Sequence, residues 1–252
     1  MKKNKKKIKA SILIIGNEIL SGRTQELNVS FISNWLNLKC GIIVGEVRVI
    51  PDIENTIVKN VRELSKNFNY VFTTGGIGPT HDDITAKSIS KAIKVKYEYH
   101  NEAYSILEKY YGKVKFNDGR KKMAKMPKGS ALILNPSSAA PGFKIKNILC
   151  LPGVPSILKS MIDNCQAFLV KGSVVFNKSI NLLTVESNIA NKLGLIQKKY
   201  LKNVEIGSYP FFRLGKIGVS IVLRSSEKKE LNLCYKDILK LIKQKNIKLF
   251  KN

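Results

Sequence analysis

Along this chain, short unbroken apolar runs alternate with segments whose apolar residues recur every three or four positions. The first kind reads as strands covered on both faces, the second as helices with one face on a core. Residues 11–16, SILIIG, are the first such run, and residues 26–38 follow as a helix with Phe31, Ile32, Trp35 and Leu36 on one side. Residues 42–50 read as the next strand. Pro51 and Asp52 then introduce a helix carrying Ile53, Ile57, Val61 and Leu64 at helical spacing, and residues 70–73 supply a third strand. Such alternation is the signature of βαβ units and a largely parallel sheet.

Further on, residues 84–93 and 102–111 are expected to be helical, and 132–134 and 145–151 to be strands flanking the loop NPSSAAPGF. Residues 154–170 close the domain as a helix. Beyond Lys171 the texture changes to SVVFNKSINLLTV, a helix near 187–195, a strand, a Gly-Lys turn at Gly215, a strand at 217–223 and a lysine-rich terminal helix. The expectation is an α/β main domain over residues 8–170 and a small α+β appendage over 171–252. A length of 252 residues fits, because it exceeds the common single-domain size of about 100 to 150.

Charge changes the picture less than its size suggests. The net charge is +26, yet only six of the 44 basic residues are arginines, which leaves 38 lysines spread along the chain among many Ile and Asn. Arginine is the residue that reads base edges bidentately, and no DNA- or RNA-binding motif accompanies the lysines, so composition argues against nucleic acid as the partner. Attraction of anionic small molecules remains. The opening MKKNKKK reads as a lysine tail: the apolar run after it is shorter than the roughly 7 to 15 residues of a signal-peptide core. No run approaches the roughly 20 apolar residues of a membrane helix. Cys40, Cys150, Cys165 and Cys234 form no CxxC pair, which argues against zinc or a disulfide scaffold and for a reducing, cytoplasmic setting.

The candidate chemistry lies in VFTTGGIGPTHDDIT, residues 71–85, at the end of the third strand. In open α/β sheets ligands gather at the carboxyl ends of strands. Gly75, Gly76 and Gly78 permit positive φ and close backbone approach, so N–H groups can surround an anion with a helix N-terminus behind them. Thr74 and Thr80 flank them. The loop is neither a Walker A sequence nor GxGxxG. Asp82 and Asp83 would repel a bare phosphate, and a divalent cation between carboxylates and phosphate oxygens resolves that conflict. Thr80 and Asp83 also have capping-box spacing, so a purely local role explains part of the turn but not its three glycines and proline. His81 reads as exposed, and His100 has no partner at metal spacing.

IIGNEILSG at 14–22, Asn28, TTGGIGPTHDDIT at 73–85, NPSSAAPGF at 135–143, LPGVPS at 151–156, VESNIANKLG at 185–194 and IGSYP at 206–210 stand in the order found in the competence/damage-inducible protein A family. The chain resembles that family's amino-terminal domain, of the MoaB/Mog molybdopterin-binding fold. The resemblance implies a three-layer α/β/α sandwich binding a nucleotide-like or pterin ligand above the sheet, with Asp83 as its essential acid. It further implies hydrolysis of a pyrophosphate such as ADP-ribose or FAD, assisted by Mg²⁺, Mn²⁺ or Co²⁺ and by K⁺, and self-association. Molybdopterin binding, or a step of molybdenum-cofactor synthesis, is the rival, and a non-catalytic competence or DNA-associated role a third reading.

Asn17 and Glu18, just after strand one, are placed to reach the same pocket, with a first-turn carboxylate as the local reading of Glu18. Asn28 caps a helix or contacts ligand. Ser138, in the third loop, and Gly153 complete the expected binding set, while Gly142 and Gly153 are expected to satisfy turn geometry. Ser137, Ser138 and Ala139 replace the family's usual Gly-Thr, and Ile157 its usual Glu. Members often continue into a nicotinamide-nucleotide amidase domain; this chain is expected to lack that activity.

Overall fold

The first strand, β1 (Lys9–Ile15), is apolar on both sides because each face is covered. Leu13 and Ile15 join one core with Ile57, Val61, Leu64 and Ile89, while Ile12 and Ile14 join another with Ile32, Trp35, Phe72 and Leu158. Burial of each such side chain stabilises the fold by about 1.5–3 kcal/mol. The structure, a computed structural model, describes residues 8–173 and 175–250; the lysine tail at the start lies outside the described residues. The chain divides into two compact units, with the boundary between Gly172 and Ser173.

In the first unit, β1 is followed by the short α1 (Asn17–Leu20), α2 (Asn28–Trp35), β2 (Ile43–Ile50), α3 (Glu54–Asn67), β3 (Tyr70–Thr74), α4 (Thr85–Ile93), β4 (Tyr97–Tyr99), α5 (Asn101–Tyr111), α6 (Asp118–Lys122), β5 (Lys125–Pro127), β6 (Ala131–Ile133), β7 (Gly142–Ile145), β8 (Ile148–Leu151) and α7 (Pro155–Met161). The main sheet has the order β2-β1-β3-β8-β7-β6. Its first four strands are parallel, and β7 and β6 add an antiparallel edge. Helices α3 and α4 cover the face that holds Leu13, α2 and α7 the other. This is the expected three-layer sandwich with a mostly parallel sheet.

Several elements differ from the pattern-based expectation. The segment 145–151 is two strands: β7 ends at Ile145, Lys146 takes φ +49, and β8 begins at Ile148. Asn147 holds that turn down by donating its amide to the carbonyls of Ser65 (2.9 Å) and Phe68 (3.0 Å). The helix expected over 26–38 starts at Asn28, because the Glu26 carboxylate accepts the N–H groups of Asn28 (2.8 Å) and Val29 (2.9 Å) ahead of it. It runs on into a wider turn, Leu36–Cys40, that stops at Gly41 with φ 64. The 154–170 helix changes to a tighter 3₁₀ turn at Ile162–Phe168, where Asp163 accepts the Trp35 indole N–H (2.7 Å). Ile53 precedes α3 and is exposed, so the buried stripe is Ile57, Val58, Val61 and Leu64.

The second unit runs β9 (Phe176–Leu182), a 3₁₀ turn, α8 (Ala190–Tyr200), β10 (Glu205–Arg213), β11 (Lys216–Ser225) and α9 (Lys228–Gln244). Its antiparallel sheet, in the order β10-β11-β9, packs Leu182, Val219, Ile221 and Leu223 with Leu231, Cys234 and Ile238 of α9. The β10–β11 turn places Leu214 at φ 51 and Gly215 at φ 70, the two left-handed residues that a tight hairpin needs. All four cysteines are free and buried.

Candidate active site

The parallel register brings three loops to one edge of the sheet. Ile14 pairs with Thr74, and Thr74 with Leu151, so the segments after β1, β3 and β8 emerge side by side. Ile15 pairs with Ile50, which adds Pro51 and Asp52 from the end of β2. Thr74 is buried at the last position of β3, with its hydroxyl unpartnered in the structure.

Gly75 (φ +98) and Gly76 (φ +66) have the backbone conformation that glycine permits. Space forbids a side chain as well: a Cβ at Gly75 would stand 2.1 Å from the Ile15 carbonyl oxygen, and one at Gly76 2.2 Å from the Thr85 hydroxyl. Gly78 lacks the positive φ expected of it, and Gly153 lies in a bend, as its turn role implies. Neither has positive φ; a Cβ would meet Asp83 Oδ2 at 2.7 Å from Gly78 and Gly75 Cα at 3.3 Å from Gly153. Gly142 likewise begins β7, where a Cβ would meet the Cys150 carbonyl at 2.4 Å.

The Gly75 N–H is taken by Leu151 O (3.2 Å), and the Gly76 carbonyl accepts the Thr85 N–H (3.0 Å) at the start of α4. Among the described residues, the N–H groups of Gly76, Ile77 and Gly78 have no protein acceptor. Three successive free donors therefore stand ahead of the positive end of α4.

The acids behave differently from one another. Asp83 is half-buried, and its Oδ2 accepts from the Thr80 N–H (2.8 Å) and hydroxyl (2.5 Å). That contact folds the turn but does not cap α4, which begins two residues later at Thr85. Asp82 is fully exposed, and hydrogen bonding, first with Thr80, holds its carboxyl below the usual aspartate range, with His81 and Lys122 adding to this. His81 is exposed. Asn17 and Glu18 are also exposed, in α1.

Asp52 was not singled out from the sequence as a site residue, and the structure places it here. Its Oδ2 accepts the Asn17 N–H (2.8 Å), while Oδ1 lies on the Gly76 side, 3.6 Å from where a Cβ of that residue would sit. Burial pushes its carboxyl up; the Asn17 N–H opposes this, and the charges of Glu18, Asp82 and Asp83 reinforce it. Its sequence signal was its place just after a strand, the same signal that marked the other loops.

Asn28 is buried and donates its amide to the Gly153 carbonyl (2.7 Å), so it positions the loop after β8. Ser138 is likewise fixed from behind: Asn135, also buried, accepts the Ser137 (2.9 Å) and Ser138 (3.1 Å) N–H groups and donates to Ser138 Oγ (2.7 Å). Asn135 organises the third loop and was not anticipated. His100 caps α5, accepting the Ala103 N–H at 3.4 Å.

Residues 11–171 match the model of the probable molybdopterin binding domain, and residues 174–251 match the FAD synthase middle domain. The chain belongs to the molybdopterin-binding-domain family. Among its relatives, a protein of Archaeoglobus fulgidus is 33% identical over 217 residues, 86% of this chain and 91% of its own length. One from Sulfolobus acidocaldarius is 31% identical over 249 residues, covering 93% of each chain. The crystal structure of the protein CinA, of unknown function, from Thermoplasma acidophilum superposes with a TM-score of 0.60 at 32% identity, over 64% of this chain and 99% of that one. The chain is thus CinA-like, a molybdopterin-binding-type domain joined to a second unit similar to the middle of FAD synthase. Among the described residues, no helix is long and apolar enough to cross a membrane.

Proposed function

We propose that this protein hydrolyses the pyrophosphate bond of a dinucleotide of the ADP-ribose or FAD type, with a divalent cation at the strand ends. The observation that carries the reading is the meeting of opposites at the end of β3: three free backbone N–H groups beside Asp52, Asp82 and Asp83. Donors of that kind suit phosphate oxygens, and carboxylates suit a hard cation. The match of the second unit to the FAD synthase middle domain supports a dinucleotide substrate.

The donor set fits such a cation in one respect and limits it in another. Carboxylate oxygens are what Mg²⁺ and Mn²⁺ take, yet among the described residues no group of three His, Cys, Asp or Glu side chains converges to hold a metal. The fit is with an ion that uses one or two carboxylates, Asp82 and Asp83, and fills its shell with substrate oxygens and water. Bound there, it would neutralise charge on the phosphates during displacement. Requirements for Co²⁺ and K⁺ are tested by the same assay.

The chain's own groups then divide the work. Gly76, Ile77 and Gly78 N–H groups hold the phosphate under attack, backed by the α4 terminus. Asp83, fixed by Thr80, orients the attacking water. Asp52, with its raised carboxyl and a free Oδ1, accepts the proton as the water oxygen bonds to phosphorus and the bridging P–O bond breaks, releasing AMP and the other phosphate ester, ribose 5-phosphate from ADP-ribose or FMN from FAD. Asn17 holds Asp52 in place. Asn28 and Ser138 support the loops around the ligand.

The test is to follow AMP release from ADP-ribose and FAD, with Mg²⁺, Mn²⁺ or Co²⁺, with and without K⁺, beside Asp83→Ala. AMP that needs the metal and disappears in the variant supports hydrolysis. No AMP from well-folded protein with any of these metals rejects it for these substrates. A second reading, molybdopterin binding, has the family's own description in its favour; tight pterin binding without AMP release would establish it instead.

A further inference from the structure

Beside the acidic turn, on the face covered by α4, a cleft is lined by Gly76, Gly78, Asp83, Tyr97, Lys122 and Lys125. Apolar atoms of Ala86, Met123 and Phe143 form its floor. Lys122 is the last residue of α6, and its ammonium donates to the Thr80 carbonyl. Lys125 opens β5, and its ammonium lies 4.6 Å from the Tyr99 ring centre and 6.0 Å from that of Tyr97. Both side chains are half-buried.

Four other lysines of this unit have acidic partners. Lys121 is 3.7 Å from Asp118, Lys128 is 3.9 Å from Glu98, and Lys87 and Lys91 both meet Glu54. Among the described residues, Lys122 and Lys125 make no ion pair. Two half-buried lysines with no carboxylate at ion-pair distance, Lys122 feeling only the more distant charge of Asp82, line a cleft beside three free N–H groups and offer a site for a second anionic group. The helix that carries Lys122 is held close to the acidic turn: a Cβ on Gly119 of α6 would stand 3.2 Å from the Pro79 carbonyl.

We propose that Lys122 and Lys125 form the subsite for the second phosphate of the dinucleotide, with the glycine turn holding the first. Lys122 exchanges the Thr80 carbonyl for a phosphate oxygen when the ligand enters, and Lys125 approaches from its tyrosine platform. The bridging oxygen then lies between the two sets of donors. The subsite distinguishes a pyrophosphate from a single phosphate, since AMP fills only the first position. This rests on the reading that the ligand carries a pyrophosphate.

The test is calorimetric binding of a non-hydrolysable methylene-bridged ADP-ribose analogue with Mg²⁺, and of AMP, to the wild type and to Lys122→Met, Lys125→Met and Lys122→Arg. Each Met variant is expected to bind the analogue about tenfold more weakly, the size of one lost charge-assisted hydrogen bond. AMP affinity should be unchanged, and Lys122→Arg should restore most of the loss. Where Lys122→Met melts early, Lys125→Met, whose ammonium makes no hydrogen bond to the acidic turn, carries the same test. Unchanged analogue affinity in the Met variants, with AMP still released from ADP-ribose by the wild type, overturns the subsite alone. Equal losses for AMP and analogue also overturn it, because the lysines would then serve the turn's structure. A wild type that neither binds the analogue nor releases AMP removes the hydrolytic reading and the subsite with it.

Discussion

Among single residues, Asp52 gives the clearest divergence between stability and activity. Its carboxyl is pushed up by burial first, against the Asn17 hydrogen bond and with help from the neighbouring acids. The folded protein therefore keeps that proton to higher pH than the unfolded chain does. Across the window between the two ionisations the folded state binds more protons, so stability falls as pH rises through it and stays lowered above it. Asp52→Asn removes this cost and retains an oxygen to accept the Asn17 N–H. At pH 7 the variant should melt no lower than the wild type, and any gain should shrink as the pH falls through that window and be gone below about 4, where aspartate is protonated in the unfolded chain as well. AMP release by the same variant should drop by about 10²–10⁴-fold if Asp52 takes the proton. A variant of full activity would remove it from catalysis. Gly75 tests the backbone: Gly75→Ala combines positive φ with a Cβ 2.1 Å from a backbone oxygen, and should cost about 3 kcal/mol in a denaturant titration.

Among elements, the loops at the sheet edge are held by buried amides. Asn28→Ala leaves the Gly153 carbonyl without its donor and should destabilise by about 1–3 kcal/mol, while raising KM through a displaced loop after β8. A melt coupled to KM measurement checks both. In the third loop Ala139 sits at φ +60, a conformation that penalises a Cβ, so Ala139→Gly should stabilise by up to about 1 kcal/mol. The same contrast explains what the sequence revealed. Strands β1 and β3 were legible because both faces are covered and their runs are largely apolar, whereas β2, an edge strand alternating between exposed and half-buried positions, was legible through its Ile and Val residues. The break at Lys146 and Asn147 was not, because apolar residues flank the turn and its anchor is Asn147 reaching Ser65 and Phe68, some 80 positions away in the chain. Strands β4 and β5 and helix α6 are too short to carry a period and exist through mutual pairing and packing. At the site, the glycine turn was visible as composition. Asp52 carried only the signal of its place just after a strand, its role being set by the β1–β2 register, and Asn135 acts through loop contacts that no local pattern encodes. Gly142 was expected for turn geometry, but begins a strand and is required by close packing against the Cys150 carbonyl.

For the whole molecule, the decisive fact is that hydrophobic cores respect the boundary at Gly172. The two clusters on either side of the main sheet draw only on residues before it, and the third draws only on residues after it. Every residue assigned to the site, from Asn17 to Gly153, also precedes the boundary. A fragment ending at Gly172 buries both faces of its sheet without the second unit, and at that length most of the unfolded chain's surface is removed from water. It should therefore melt cooperatively by circular dichroism and retain AMP release with the Asp83 dependence of the full chain. Retained folding with lost turnover would mean that the second unit, similar to the FAD synthase middle domain, supplies part of substrate binding. Loss of a cooperative melt would mean that the first unit depends on the second for its stability. The net charge of +26 makes a further distinction possible with the full chain. General attraction by the lysines weakens uniformly with added salt for any anion. Recognition by the site instead predicts that adenosine diphosphoribose keeps an advantage over inorganic phosphate at high ionic strength, because its contacts include backbone N–H groups that salt screens little.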